Sequence, residues 1–273
     1  MVATFIFFLL TVYFIYTSKF FETSSISRQL IIVVYLIKLL FAALLFYMYT
    51  YYYTDLSKND IHKYYKDSKV LIDLFYHSPK TFLNFISGNQ VNSTASKLIY
   101  WQKTNGYGFY NDNKTLILIQ TFLGILTFKS IGVNFVVFTF ISFTSIFGLI
   151  KCFEHFQLIA SKLTFFTLFF FPSVLLWSSG PTKESLILSC INAIIYQLVR
   201  YNSSKKTINL FFLDIVVYLQ KLYVWVVSGC SKHRLIMEIV SKDSNLFNRT
   251  FTSCYFNFFY FYHRLYAPSI KGN

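Results

Sequence analysis

The stretch FFFPSVLLWSSGPTKESLILSC, residues 169–190, joins two hydrophobic runs through a short polar turn. A membrane chain needs only a few polar residues to reverse direction, yet this turn contains WSSGPTKE. Thr182 belongs to the residue types that cap helix N-termini, and Glu184 suits the first turn of the helix that follows. The stretch therefore predicts a helix, a turn, and a second helix that begins near Lys183.

Two interpretations of Lys183 follow from its place in this turn. Its ammonium could bind a lipid phosphate as a point charge, with the N-terminal dipole of the next helix facing the same anion. Alternatively, the side chain snorkels to the membrane surface and binds no ligand. The turn alone does not decide between these two interpretations.

The whole chain has the composition of a membrane protein. Of its 273 residues, 55% are hydrophobic and 13% are charged, whereas soluble domains carry about 25% charged residues. Residues 2–18, 130–150 and 163–182 contain no charge, and 29–54 contain only Lys38. A span of about 20 apolar residues crosses a bilayer core. We predict an all-α, polytopic integral membrane protein of the cell inner membrane.

The basic residues between the hydrophobic runs predict the topology. Under the positive-inside rule, Lys19, Arg28, Lys151 and Arg200 mark cytoplasmic loops. The long stretch 54–129 is then one large extracytoplasmic loop. Its end, 115–128, is too short to span and predicts an interfacial or re-entrant helix. We expect five to six spanning helices, at 2–17, 29–53, 131–150, 163–178 and 185–199, with a weaker one at 208–228.

The net charge of +14 does not indicate nucleic-acid binding. The lysines fall mostly in loops between hydrophobic runs, where they act as topology signals or contact anionic headgroups. The cysteines, and the pair His62 and His77, lack metal-ligand spacing, so we predict no metal site built from them. Membrane lipid is the partner that this charge distribution favours.

Carboxylates follow the second hydrophobic run. A helix over 58–75 would place Asp60 and Lys63 on one face, with Asp67 one turn further. Asp60, or Asp55 before it, could act as a general base on a sugar hydroxyl or hold a divalent cation beside a phosphate. The alternative is a solvated amphipathic helix with Lys–Asp pairs. The aromatic segment 100–115 could stack on sugars or simply lie at the headgroup interface.

Three motifs carry a resemblance to a known family. They are NDIHKYYKDSKVL (59–71), YNDNKTLILIQTFLGILTF (110–128) and FPSVLLWSSGPTKESLI (171–187). In this order, the chain resembles bacterial, Bacteroidetes-type membrane proteins. These are glycosyltransferase-like and are related to the dolichyl-phosphate-mannose-protein mannosyltransferases of the GT-C fold. The resemblance covers roughly residues 1–207, which would form a GT-C-like transmembrane region.

The resemblance implies a function and a site. The chain would transfer a sugar from a polyprenyl-phosphate donor to an extracytoplasmic glycan or lipid, with Asp60 as the base and Asp55 as the second candidate. Lys183 would bind the donor phosphate. The alternative is a non-catalytic membrane component of polysaccharide export or polymerisation. Lys114 stands where the family pattern has an arginine. The supporting residues would be Trp177, Glu184 and Lys114.

The resemblance ends near residue 207. Residues 208–273 have a different composition, with one weak hydrophobic segment and an aromatic run at 254–266 that is too short to span. We expect this divergent tail to reflect a truncated or frame-shifted reading, and an inactive chain is one outcome of such a truncation.

Overall fold

The computed structural model describes residues 2–23, 26–53, 59–87, 97–101, 112–156 and 161–204. Helix accounts for 86% of these residues, and none of them lies in a strand. The all-α prediction is confirmed for this part of the chain. The candidate base Asp55 and the tail 208–273 lie outside the described residues.

The helices are numbered in chain order. They are α1 (Val2–Thr17), a 3-10 turn (Lys19–Phe21), α2 (Arg28–Tyr47) with a π-helical turn (Met48–Tyr52), α3 (Asp60–His77), α4 (Pro79–Ile86), α5 (Asp112–Leu126), α6 (Ile131–Phe156), α7 (Ser161–Phe170), α8 (Pro172–Trp177) and α9 (Lys183–Ser204).

Two helices of the described part are long and apolar enough to cross a membrane. One is α2 with its π-helical extension, which together have 25 residues, and the other is α6, which has 26. About 20 residues suffice for a bilayer core. Only a third of the apolar window of α2 is buried, whereas most of that of α6 is buried by its neighbours. Helix α6 is therefore the centre of the bundle.

Side-chain contacts give the directions of the helices around α6. Thr4 Oγ1 lies 3.0 Å from Ser130 Oγ, and the Phe14 and Phe140 rings are 5.7 Å apart, so α1 runs parallel to α6. Helix α2 runs the opposite way, because Tyr35 contacts Phe143 whereas the later Phe46 contacts the earlier Phe135. The start of α6 and the end of α2 therefore lie at the same end of the bundle.

The predicted helix 163–178 is interrupted. Phe171 has an extended backbone, with φ −62° and ψ 119°, and separates α7 from α8. Pro172 causes the break, because its ring disfavours a helical conformation in the preceding residue and it has no N–H to donate. Pro172 instead takes the first position of α8, where a proline is well tolerated.

The predicted outer loop 54–129 contains helices of its own. Asn59 caps α3 by accepting from the Ile61 N–H at 3.1 Å, and Ser78 caps α4 by accepting from the Thr81 N–H at 3.4 Å. Helix α5 covers most of the segment predicted to be interfacial, and its depth in a membrane stays a prediction. Helices α3, α4 and α5 share a buried apolar core that includes Leu71, Phe82, Phe85, Leu116 and Ile117.

Candidate functional site

Asn113 joins the three sequence motifs. Its Oδ1 accepts a hydrogen bond from Lys183 Nζ at 2.8 Å and another from the Tyr64 hydroxyl at 3.1 Å. Its Nδ2 donates to the Tyr100 carbonyl at 3.1 Å. Residues from α3, from 97–101, from α5 and from α9 therefore meet at one amide side chain.

Lys183 begins α9 and lies beside this amide. Thr182 caps the helix, because its Oγ1 accepts from the Ser185 N–H at 3.1 Å. The Lys183 ammonium also lies 5.1 Å from the centre of the Tyr64 ring. The cation and the positive end of the α9 dipole therefore coincide, which is an arrangement that attracts anions.

Two further lysines lie over aromatic rings in the same region. Lys114 Nζ is 5.4 Å from the centre of the Trp101 ring, and Lys63 Nζ is 5.8 Å from that of Tyr100. Rings hold cations at such distances through their quadrupoles. We name Lys63, Lys114 and Lys183, with the rings of Tyr64, Tyr100 and Trp101, the lysine–aromatic cluster.

Asp60 is linked to this cluster by an ion pair with Lys63. The pair joins Lys63 Nζ and Asp60 Oδ1 at 3.1 Å, and the Asp60 side chain is 62% exposed. The shared face predicted for these two residues is therefore present, in the form of a solvated ion pair. Glu184 and Asp60 both lie within electrostatic range of the Tyr49 hydroxyl, so the two carboxylates flank the same end of α2.

Trp177 contributes to the site through its main-chain carbonyl. Its carbonyl accepts a hydrogen bond from Thr182 Oγ1 at 2.9 Å, and its side chain is half-buried. This bond closes the turn between α8 and α9 and fixes the start of α9. Trp177 therefore helps to orient Lys183.

Asp67 is the carboxylate that organises the site, and sequence reasoning missed this role. It accepts hydrogen bonds from the N–H groups of Ile99, at 3.2 Å, and Tyr100, at 2.7 Å. Burial raises the pKa of Asp67, and these backbone donors act in the opposite direction. Its helical spacing from Asp60 was readable in the sequence, but its partners lie more than thirty residues away.

A second polar centre lies inside the bundle. Lys38 of α2 is fully buried, and its ammonium donates to Ser178 Oγ. The Ser178 carbonyl accepts from Ser142 Oγ at 2.6 Å and from Ser185 Oγ at 3.2 Å. Lys38 was visible in the sequence as a lone charge in a hydrophobic run, but its partners were not.

The described residues do not fit a divalent cation. They contain no group of three or more His, Cys, Asp and Glu side chains that could hold a metal. Asp60 is paired with a lysine, whereas Mg²⁺ and Ca²⁺ require several oxygen ligands.

His62, which the sequence offered beside His77, has a hydroxyl as its neighbour. Its Nε2 lies 3.2 Å from Thr50 Oγ1. Burial, and secondarily the charge of Lys69, lowers the pKa of His62.

The site can thus hold an anion beside aromatic rings, with a carboxylate at its edge. Compared with known proteins, the chain matches no protein-family model, no curated protein and no solved structure.

Proposed function

We propose that the chain is a membrane glycosyltransferase-like protein that transfers a sugar from a polyprenyl-phosphate donor to an extracytoplasmic glycan or lipid. The observation that carries the proposal is the position of Lys183, at the N-terminus of α9, beside Asn113 and the Tyr64 ring. A phosphate requires a cation and N–H donors, and a sugar requires aromatic faces. The lysines of the lysine–aromatic cluster supply the cations, and Tyr100, which is partly exposed, supplies an aromatic face in the same site.

In the proposed reaction, Lys183 and Lys114 bind the donor phosphate, and the partly exposed Tyr100 stacks on the sugar. Asp60 takes the proton from an acceptor hydroxyl, whose oxygen attacks the anomeric carbon. The bond between that carbon and the phosphate oxygen breaks, and polyprenyl phosphate leaves with its electron pair. Asp60 must separate from Lys63 to reach an acceptor, because the two are paired here.

The proposal includes a location and an architecture. Residues 1–207 form a GT-C-like region that crosses the cell inner membrane five or six times, with 54–129 outside. Helices α2 and α6 meet the length and composition needed for two of these crossings. Membrane lipid surrounds the bundle, and the donor enters from the lipid.

One observation favours a different function. Lys38 and the serines around it form a buried polar network between hydrophobic helices, and ionisable groups inside membrane segments mark transport paths. The alternative is therefore a non-catalytic component of polysaccharide export or polymerisation. In that case Asp60 is only a solvated partner of Lys63.

Binding of undecaprenyl phosphate to the full chain in nanodiscs tests the donor site. We expect Lys183→Gln to weaken binding by about tenfold, or about 1.4 kcal/mol, because the phosphate loses a charged partner. Lys162→Gln, on the exposed first turn of α7, is the matched control and should bind like the parent. Equal binding of neutral undecaprenol by the parent would contradict a phosphate site.

The catalytic part is tested separately. Asp60→Asn should abolish formation of the cell-surface glycan while undecaprenyl phosphate still binds, and Asp73→Asn, on the same helix, should leave the glycan intact. A normal glycan in the Asp60→Asn strain, with the protein at its usual level, would replace the enzymatic proposal with the non-catalytic one.

A further inference from the structure

Helix α5 ends in an unusual turn. Phe128 and Lys129 have φ values of 51° and 63° and are the described non-glycine residues with positive φ. The Lys129 N–H donates to the Gly124 carbonyl at 2.9 Å, which is the closing bond of a Schellman-type helix cap. Glycine usually occupies the left-handed position of such a cap. Here a phenylalanine occupies it.

Phe128 is unfavourable here for a second reason. Its side chain is 83% exposed, so the phenyl ring gains nothing from the core of the protein. A left-handed backbone conformation costs free energy in a residue that has a Cβ. An apolar ring exposed to water adds a second cost. Backbone strain of this kind concentrates at functional positions. Insertion of the ring into an apolar environment outside the protein would offset the cost of its exposure.

Three side chains of α3 contact this turn and the end of α5. The hydroxyl of Tyr65 donates to the Lys129 carbonyl, and Lys129 Nζ pairs with Asp73. The hydroxyl of Tyr76 donates to the Ile125 carbonyl at 2.6 Å. Helix α3 thus fixes the turn in place and presents the Phe128 ring on a supported backbone.

Phe128 belongs to a larger exposed surface. Phe122 and Leu126 lie one turn apart on α5, and the Phe82 and Phe122 rings, 6.4 Å apart, bring α4 alongside. Basic residues lie at its edge: Lys80 on α4 and Lys129 in the turn. We name this surface the α5-end patch. Its apolar members and their exposed fractions are Tyr76 (48%), Leu83 (62%), Phe122 (53%), Leu126 (71%) and Phe128 (83%).

We propose that the α5-end patch inserts into the headgroup–acyl boundary of the bilayer that α6 crosses, with the Lys80 ammonium on anionic headgroups. Helix α6 begins at Ile131, three residues after Phe128, so the turn has the depth of a membrane surface. Ser130 also contacts Thr4 of α1, whose outer residues are apolar and exposed. The proposal rests on α6 crossing a membrane and does not depend on the reaction proposed above.

Charge favours lipid over a second copy of the chain. A symmetric contact between two such patches would bring Lys80 of one copy toward the same lysine of the other, with a net charge of +14 on each chain. Like charges that face each other across an interface weaken association. Anionic lipid headgroups instead neutralise the basic edge of the patch while the rings enter the acyl region.

Photo-crosslinking from single positions tests the proposal. Benzoyl-phenylalanine replaces Phe128 in the full chain, which is reconstituted in nanodiscs of phosphatidylethanolamine and phosphatidylglycerol and analysed by mass spectrometry. Phe5, 60% exposed on α1, and Phe82, 1% exposed beside the patch, are the matched positions. We expect lipid adducts at 128 within about twofold of those at position 5 and at least about tenfold above position 82. A covalent dimer at 128, or no lipid adduct there, would overturn the proposal.

A second variant separates lipid insertion from folding. Phe128→Gly suits the left-handed backbone, so its thermal unfolding midpoint in detergent should equal or exceed that of the parent. The parent should gain stability on transfer into anionic nanodiscs, and Phe128→Gly should lose a measurable part of that gain. An equal gain for both proteins would show that the ring does not contact lipid.

Discussion

At the scale of single residues, Lys38 places an ammonium group in the interior of the bundle, where it donates a hydrogen bond to Ser178. Ser178 Oγ is the hydrogen-bond partner that the structure shows for its ammonium, although an ammonium has three N–H donors. A charge in an apolar interior costs free energy unless it is paired. The stability of the bundle should therefore depend on Ser178 more than the size of a serine suggests.

Ser178→Ala should lower the free energy of unfolding by about 1–3 kcal/mol, because it leaves the ammonium without its acceptor. Lys38→Met, whose side chain has a similar length, should leave the free energy of unfolding unchanged or raise it. The substitution removes the buried charge together with its need for a hydrogen-bond acceptor. In the Lys38→Met background, Ser178→Ala should then cost less than it does alone. Unfolding in mixed micelles measures all four proteins. Equal costs in the two backgrounds would mean that the two side chains are not coupled.

Lys183 shows how far sequence reasoning reaches at this scale. Its place at a helix start, the cap by Thr182 and the first-turn Glu184 are local and were predictable from residue types. Its contact with Asn113, seventy residues away, was not predictable, because it depends on how α5 packs against the rest. Asn113 and Asp67 act through such long-range contacts, so neither was predicted as a site residue.

At the scale of elements, the hydrophobic runs predicted where helices lie. Individual residues such as Pro172 decide where those helices begin and end. The run 163–178 is apolar throughout, so its pattern did not reveal the break that Pro172 imposes at Phe171. Within the polar stretch 54–129, the sequence pattern allowed a helix over 58–75 and predicted an interfacial or re-entrant one over 115–128. Tyr64, Leu71 and Phe82 show that α3 and α4 form a buried core with α5, which hydrophobic run length alone cannot indicate.

The turn before α9 packs closely against α2. A Cβ added at Gly180 would lie 2.8 Å from Leu45 Cδ2 and 3.2 Å from Phe135 Cε1. Gly180→Ala should therefore lower the free energy of unfolding by about 1–3 kcal/mol through overpacking. Leu45→Val, which removes the methyl group that the new Cβ meets, should restore part of the loss.

Gly148→Ala is the matched control for Gly180→Ala. Its new Cβ would be 3.4 Å from Tyr196 Cγ, an ordinary contact. Because alanine stabilises a helix interior by about 0.5–1 kcal/mol over glycine, this variant should be neutral or more stable. Equal losses for the two variants would show that crowding at the turn is not the cause.

At the scale of the whole molecule, the directions of α1, α2 and α6 agree with a chain that crosses a membrane back and forth. The ends that meet near Ser130 and Gly180 would face one compartment, and the loops near Lys19 and Arg200 the other. Composition and basic loops predicted this arrangement. The π-helical end of α2 and the packing of α3, α4 and α5 around one core were not predictable, because both depend on tertiary packing.

Cysteine labelling in intact cells tests that arrangement. Lys69, Lys19 and Arg200 are exposed and are replaced by cysteine one at a time, with Cys230 and Cys254 changed to serine. Cys152 and Cys190 are buried and can stay. An impermeant maleimide should label position 69 directly and positions 19 and 200 only after permeabilisation. Direct labelling at position 200 would contradict the topology.

The length of α1 has a consequence for the surrounding bilayer. Its 16 residues rise about 24 Å at 1.5 Å per residue, whereas a hydrocarbon core is about 30 Å thick. Helix α1 runs beside the longer α6 and has mostly apolar exposed residues. A helix shorter than the hydrocarbon thickness draws the two leaflets together around it. On the proposed topology, in which α1 crosses the bilayer, the membrane should be locally thinned along α1, and the protein should partition into thinner lipid regions.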